Sequence, residues 1–202
     1  MGDDEMKHKR RLIEMAEQNN GIITTAMVTS ELLPRGSLKY LEDIGELIKV
    51  SRGVYALPEA WEDEYIILQS RYKRGIYCLD TALFLHDLTD RTPSKINMAF
   101  PYTYNLRNPK EEGILCKSFK EPAYSLGVTE VRTPGGNMVK AYNPEKTLCD
   151  ILRPSAKSDI QVAAEAFKRY TRLKNKNIPL LSQYATELKV QDKVRSYLEV
   201  LL

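Results

Sequence analysis

With 202 residues, 43% hydrophobic and 28% charged, the chain can fill one large domain or two small ones and is too apolar to stay disordered. No apolar stretch approaches the roughly 18 residues of a membrane span. Met1 to Arg11 runs acidic then basic without the apolar core of a secretion signal, so a cytoplasmic protein with no membrane partner is expected.

Glu5 to Asn19 predicts a helix with Leu12, Ile13 and Ala16 on its apolar face, stopped by Asn19-Asn20-Gly21. Ile22 and Ile23 follow as a short extended segment, and Thr24 or Thr25 caps a short helix running to about Leu32. Pro34 suits the first turn of a third helix, where its missing N–H does no harm. In "RGSLKYLEDIGEL" the spacing turns Leu38, Leu41 and Ile44 inward and leaves Arg35, Lys39 and Tyr40 pointing elsewhere. The runs Leu47 to Val50 and Val54 to Leu57, hinged at Ser51-Arg52-Gly53, predict a β-hairpin. Three helices and a hairpin within 60 residues are the plan of a winged helix-turn-helix, whose third helix enters the major groove while the hairpin lies against the backbone.

"PEAWEDEYIILQSRYKRG" reads as a connecting helix, with Glu62, Asp63 and Glu64 in its first turns, Lys73 and Arg74 in its last, and Gly75 as cap. The domain boundary is expected near Leu57 to Glu62. Beyond it, Asp80 is expected to cap "TALFLHDL"; "KINMAFP" and "ILCKSF" read as strands; "GVTEVRTPGGNMVKAYN" reads as a hairpin about Pro134 to Asn137. Asn143 caps a helix with Pro144 at its first position, and helical stretches follow at Ser158 to Lys174, Pro179 to Leu188 and Gln191 to Leu202. The expected class is α+β: a winged helix-turn-helix over 1–58, then 59–202, comprising the connecting helix 59–75, a mixed sheet and helices 76–154, and C-terminal helices 155–202.

A nucleic-acid role must rest on local placement of cations. Residues 1–64 hold 8 Lys/Arg against 13 Asp/Glu, whereas 65–202 hold 22 against 14. Arg52 at the hairpin tip and Lys49 on its strand suit phosphates. Arg35 and Lys39, four apart, share a helix face with Ser37 and Tyr40 nearby, and an arginine in the major groove can take guanine bidentately. The plainer alternative for Lys39 is an ion pair with Asp43. Lys7, Lys9, Arg10 and Arg11 crowd the first helix, either at DNA or as a solvated face.

Enzyme signatures are missing: no phosphate loop, G-x-G-x-x-G, H-E-x-x-H or G-x-S-x-G occurs. No metal or cofactor is expected, and Cys78, Cys116 and Cys149 read as buried free thiols. Glu145, Lys146 and Asp150 are the best imaginable catalytic cluster, with surface charge the plainer reading; Asp87 and Asp90 suit a helix end. Tyr102, Tyr104, Arg107 and Lys110 have the composition of a base-stacking loop, or of aromatics packed on their own sheet. Lys168, Arg169, Arg172 and Lys176 form a basic strip opposite Ala163, Phe167 and Tyr170.

"GIITTAMVTSELLPRGSLKYLEDIGELIKVSRGVYALP" resembles the winged helix of AbiEi-type antitoxins of bacterial abortive-infection (phage-defence) systems. The run from "YCLDTALFLHDLTDRTPSKINMAFP" to "AYNPEKTLCDIL" resembles the antitoxin domain that follows it. The resemblance implies a non-enzymatic transcriptional autorepressor, nucleoid-associated when bound to inverted repeats in its own promoter. It also implies an antitoxin against a neighbouring AbiEii-like nucleotidyltransferase toxin. Groove reading then falls on Arg35, Ser37, Lys39 and Tyr40, and wing contact on Lys49 and Arg52. Self-association on DNA suits an inverted repeat. Pro34-Arg35-Gly36 departs from relatives, which more often carry a capping Ser or Thr and a richer basic run. The alternatives are an antitoxin that grips the toxin directly and a divergent enzyme acting on nucleotides or on the toxin.

Overall fold

The structure, a computed structural model, describes residues 3–60, 63–156 and 158–201. It is α+β, and its contacts divide into two compact units: 1–73 with 132–139, and 74–131 with 140–202. Among the described residues no helix is long and apolar enough to cross a membrane.

In the first unit the elements are α1 (Asp3–Gln18), β1 (Ile22–Thr24), α2 (Thr25–Ser30), α3 (Gly36–Asp43), β2 (Ile48–Ser51), β3 (Val54–Ala56) and α4 (Glu64–Arg71). Leu12, Met15 and Ala16 of α1 meet Val28, Leu38, Leu41, Leu47 and Tyr55 in one core. The Thr24 hydroxyl caps α2 by accepting from Met27 N–H at 3.3 Å. The helix ends on Leu32 at φ +57°. There Leu32 N–H donates to Thr29 O at 3.1 Å and Leu33 N–H to Val28 O at 3.0 Å, the Schellman pattern. β1 pairs antiparallel with β3, and β3 with β2, giving a three-stranded sheet in the order β1-β3-β2.

Several local expectations shift. α3 begins at Gly36 with Arg35 at its cap position, so Pro34 lies just outside the helix. Ile44 is 43% exposed, not inward, because the helix stops at Asp43 and Gly45 takes φ +76°. α4 ends at Arg71, leaving Lys73, Arg74 and Gly75 beyond it, and the cap is Tyr72. Glu62 lies outside the described residues. The connecting helix was expected to open the second domain, yet it belongs to the first unit. Asp63 explains why. Its carboxylate caps α4 through Tyr65 N–H at 3.0 Å and also accepts from the Thr133 hydroxyl and from Asn137 Nδ2 at 3.0 Å. The turn 133–137 is thereby packed into the first unit. A Cβ on Gly135 would lie 2.6 Å from Asp63 Oδ2, so only glycine fits there.

The second unit contains β4 (Ile76–Tyr77), α5 (Leu79–Leu85), β5 (Asn97–Pro101), α6 (Arg107–Glu111) and β6 (Leu115–Phe119). Then come β7 (Val128–Arg132) and β8 (Met138–Tyr142), of which Arg132, Met138 and Val139 are counted with the first unit, and α7 (Pro144–Ile151), α8 (Ile160–Arg172), α9 (Ile178–Glu187) and α10 (Gln191–Leu201). The sheet order is β6-β5-β4-β8-β7, with β5/β6 and β4/β8 parallel and β4/β5 antiparallel. Helices α5, α7, α8, α9 and α10 contribute to one core, with Phe167 and Tyr170 fully buried in it. Asn143 caps α7 with Pro144 in its first turn, as the sequence predicts. Asp80 does not cap α5; the cap position is Cys78, and Asp80 sits inside the first turn. Across 102–110, read from sequence as a loop, a turn leads into α6.

Candidate nucleic-acid interface

The three helices and the hairpin place the basic residues of the first unit on known supports. α3 is held by Leu38 and Leu41, both fully buried, which fixes the opposite side of the helix as exposed. Arg35, Lys39 and Tyr40 are exposed and Ser37 is half-buried. Arg35 Nε donates to Thr29 Oγ1 at 2.9 Å, and that hydroxyl donates to Thr25 O at 2.7 Å. The arginine is thus tethered across the α2–α3 turn by a neutral partner and keeps its charge uncompensated.

The wing is equally well supported. Gly53 turns the hairpin at φ +78°, and its carbonyl accepts from Thr25 N–H at 2.9 Å. A Cβ there would come within 2.8 Å of Thr25 Oγ1. Close packing against the start of α2 therefore requires glycine, and this anchors the loop that carries Arg52. Arg52 and Lys49 are exposed. A register shift between Lys49 and Ser51 re-aims the strand next to the tip.

Among the described residues the cations separate into two sets. Lys9 pairs with Glu46, Arg10 with Glu14 at 3.0 Å, Arg11 with Glu31 at 3.0 Å, and Lys39 loosely with Asp43 at 3.9 Å. No carboxylate engages Lys7, Arg35, Lys49 or Arg52. The acidic balance of this unit is therefore spent largely on α1 and on the end of α3, while the wing and the start of α3 stay positive.

The other clusters resolve differently. Glu145, Lys146 and Asp150 are buried, not surface charges, because α7 runs through the core of the second unit. Lys146 Nζ bonds Asp150 Oδ2 at 2.5 Å and lies 4.3 and 4.9 Å from the ring centres of Tyr142 and Phe119. Glu145 Oε1 accepts from the Tyr170 hydroxyl at 2.8 Å. Burial, with the Glu145 carboxylate second, raises that phenol's pKa. Burial also pushes the Cys149 thiol up to about 12. These neighbours hold one another in the core. Among the described residues no group of His, Cys, Asp and Glu can hold a metal. Cys78 and Cys149 are buried as expected, whereas Cys116 is half-buried on β6; all three are free thiols.

In the basic strip of α8, Arg169 is held by Asp90, at 2.8 Å from Nη1, and by Glu165 at 2.9 Å. Asp90 thus serves an ion pair across the fold, and Asp87 lies past the end of α5 at φ +56°.

Residues 10–58, from α1 to just past the wing, match the family model described as "Transcriptional regulator, AbiEi antitoxin". Among solved structures, the crystal structure of RV2827C protein from Mycobacterium tuberculosis is similar. The two share 16% identity and a TM-score of 0.54 over 89% of this chain and 71% of that one. At that identity the likeness is one of fold. No curated protein matches the chain in sequence.

Proposed function

We propose that this chain, whose residues 10–58 match the model of AbiEi antitoxin transcriptional regulators, represses its own operon by binding inverted repeats in the promoter. It would also counteract a nucleotidyltransferase-like toxin encoded beside it. The observation that carries the reading is the pairing pattern in the winged helix. Among the described residues, Arg52 on the glycine-anchored wing and Arg35 at the start of α3 are exposed and engaged by no carboxylate. Lys9, Arg10 and Arg11, by contrast, pair with neighbouring carboxylates, and Lys39 does so loosely.

An exposed arginine at a phosphate gains free energy by releasing condensed counterions, and the gain is the same for every sequence. An arginine at the start of the groove helix contacts base edges, where a bidentate bond to guanine discriminates by about 1–3 kcal/mol. Arg52 and Lys49 therefore set affinity, and Arg35, with Ser37, Lys39 and Tyr40 beside it, sets sequence preference. Lys7 adds a further phosphate contact. Lys9 and Arg10 contribute only if DNA draws them away from Glu46 and Glu14. Two copies on an inverted repeat follow from the symmetry of the site.

Titration of the upstream duplex at several salt concentrations tests the reading. Arg52→Ala is expected to weaken all duplexes alike and to lower the salt slope by about 1. Arg35→Ala is expected to narrow the gap between the promoter and a scrambled duplex. Affinity indifferent to salt, or unchanged in both variants, overturns the reading.

A further inference from the structure

The second unit carries an aromatic and cationic surface that duplex binding by the winged helix does not use. β5 and β6 are parallel neighbours in register, with Pro101 opposite Phe119, so their carboxyl ends lie side by side. The chain leaves β5 into Tyr102 and leaves β6 into Lys120. Tyr102 N–H donates to Phe119 O at 2.8 Å, which pins its backbone to the end of the neighbouring strand. Its ring is nevertheless 63% exposed, with the Lys120 ammonium 4.8 Å from the ring centre. Behind it, Tyr104 stacks on Phe100 at 4.8 Å and 23°, and the Arg74 guanidinium lies 5.9 Å from the Tyr104 ring centre. Tyr104 is thus committed to its own sheet, while Tyr102 is held in place and left open.

A second group of cations lies at the opposite end of these strands. β6 is the outermost strand on its side. At the amino ends of β5 and β6 a cleft of about 590 Å³ is lined by Lys95, Lys110 and Lys117, with Asp80 as the acid among them, and the Lys117 ammonium donates to Ser155 O at 2.8 Å. Lys117 and Lys120 are three residues apart, about 10 Å along an extended chain, and side chains at that spacing leave on opposite faces, so this group does not continue the Tyr102 surface. A rigid open ring with an ammonium over it suits a ligand that offers a bare base face beside a phosphate. A duplex keeps its bases stacked inside; a single strand does not. The carboxyl ends of parallel strands are also where open α/β sheets take their ligands.

We propose that the second unit binds single-stranded nucleic acid, one base stacking on Tyr102 with a neighbouring phosphate at Lys120. Base stacking on an aromatic is worth about 1–3 kcal/mol per base, so removing the ring costs roughly 5- to 150-fold in affinity.

The test uses the full chain and labelled single-stranded RNA and DNA of about ten nucleotides, with the promoter duplex in parallel, by fluorescence anisotropy at about 50 mM salt. Tyr102→Ala is expected to weaken single-strand binding at least about fivefold, and Tyr102→Phe to restore it. Lys120→Ala is expected to lower the single-strand salt slope by about 0.7. Neither variant should change duplex binding, and Arg52→Ala should do the reverse. Preference for RNA over DNA identifies 2′-hydroxyl contacts; equal affinity identifies stacking and charge alone, and either outcome supports the proposal. Absence of single-strand binding by the parent chain overturns it, as does a Tyr102→Ala variant that is folded by circular dichroism and binds like the parent. Loss of both ligands in Arg52→Ala would assign single strands to the wing and overturn it too. Loss of duplex binding with the single-strand site intact would count against the repressor reading alone.

Discussion

Lys39 and Lys146 each stand four residues before an aspartate on a helix, one in each unit, and the two pairs do opposite things. Lys39 and Asp43 are 76% and 61% exposed and 3.9 Å apart; Lys146 and Asp150 are 0% and 2% exposed and 2.5 Å apart. In water the first pair gains little, since solvent screens it and each side chain loses freedom to form it. The second lies between the rings of Tyr142 and Phe119, where a lone charge has no solvent to turn to. Identical spacing thus leaves one lysine available to a ligand and makes the other part of the core.

The comparison breaks most readily at the buried pair. Asp150→Ala strands Lys146 and is expected to cost about 3–5 kcal/mol in urea unfolding, and replacing both partners by apolar residues of similar volume should recover most of it. The first unit has its own buried carboxylate, Asp63. Asp63→Ala leaves Thr133, Asn137 and the start of α4 without their acceptor. A loss of about 1–3 kcal/mol is expected, read from the same unfolding midpoints. A smaller cost than that of an exposed pair would mean that the turn 133–137 is not fastened there.

His86 sharpens the contrast by its sign. Burial lowers its pKa, opposed by its hydrogen bond to Tyr142 O. The native state therefore binds fewer protons than the unfolded chain, and stability falls as pH drops below the unfolded value of about 6.5. The slope from this group cannot exceed about 1.4 kcal/mol per pH unit. Unfolding midpoints at pH 7.5 and 5.5, compared between the parent and His86→Gln, isolate it; equal pH dependence would refute the assignment. Smallest of all, Lys39→Ala is expected to change stability by no more than about 0.3–0.5 kcal/mol, so any larger effect of that variant on DNA binding reports contact and not folding.

The local parts of the fold were legible from residue order. The Thr24 and Asn143 caps, the Gly53 hinge, the Leu38 and Leu41 face and the strands at 97–101 and 115–119 each follow from a few neighbouring residues, because propensity, capping and periodicity act within one or two turns. The candidate interface was legible to the same depth: Arg35, Lys39, Lys49 and Arg52 are exposed where the pattern puts them. Which of them have carboxylate partners was not, since Lys9 meets Glu46 and Arg11 meets Glu31 only after α1 packs across α3 and α2.

Sequence by itself thus determined most of the elements in chain order, though not β4 or α6, and the residue types that a polyanion would meet. Tertiary structure alone decided that Glu145, Lys146 and Asp150 lie in a core, that Asp63 gathers the distant turn 133–137, and that Tyr102 stays open while Tyr104 is stacked. The physical reason is that burial and charge compensation depend on what arrives from far along the chain, and no residue carries that information in its own neighbourhood.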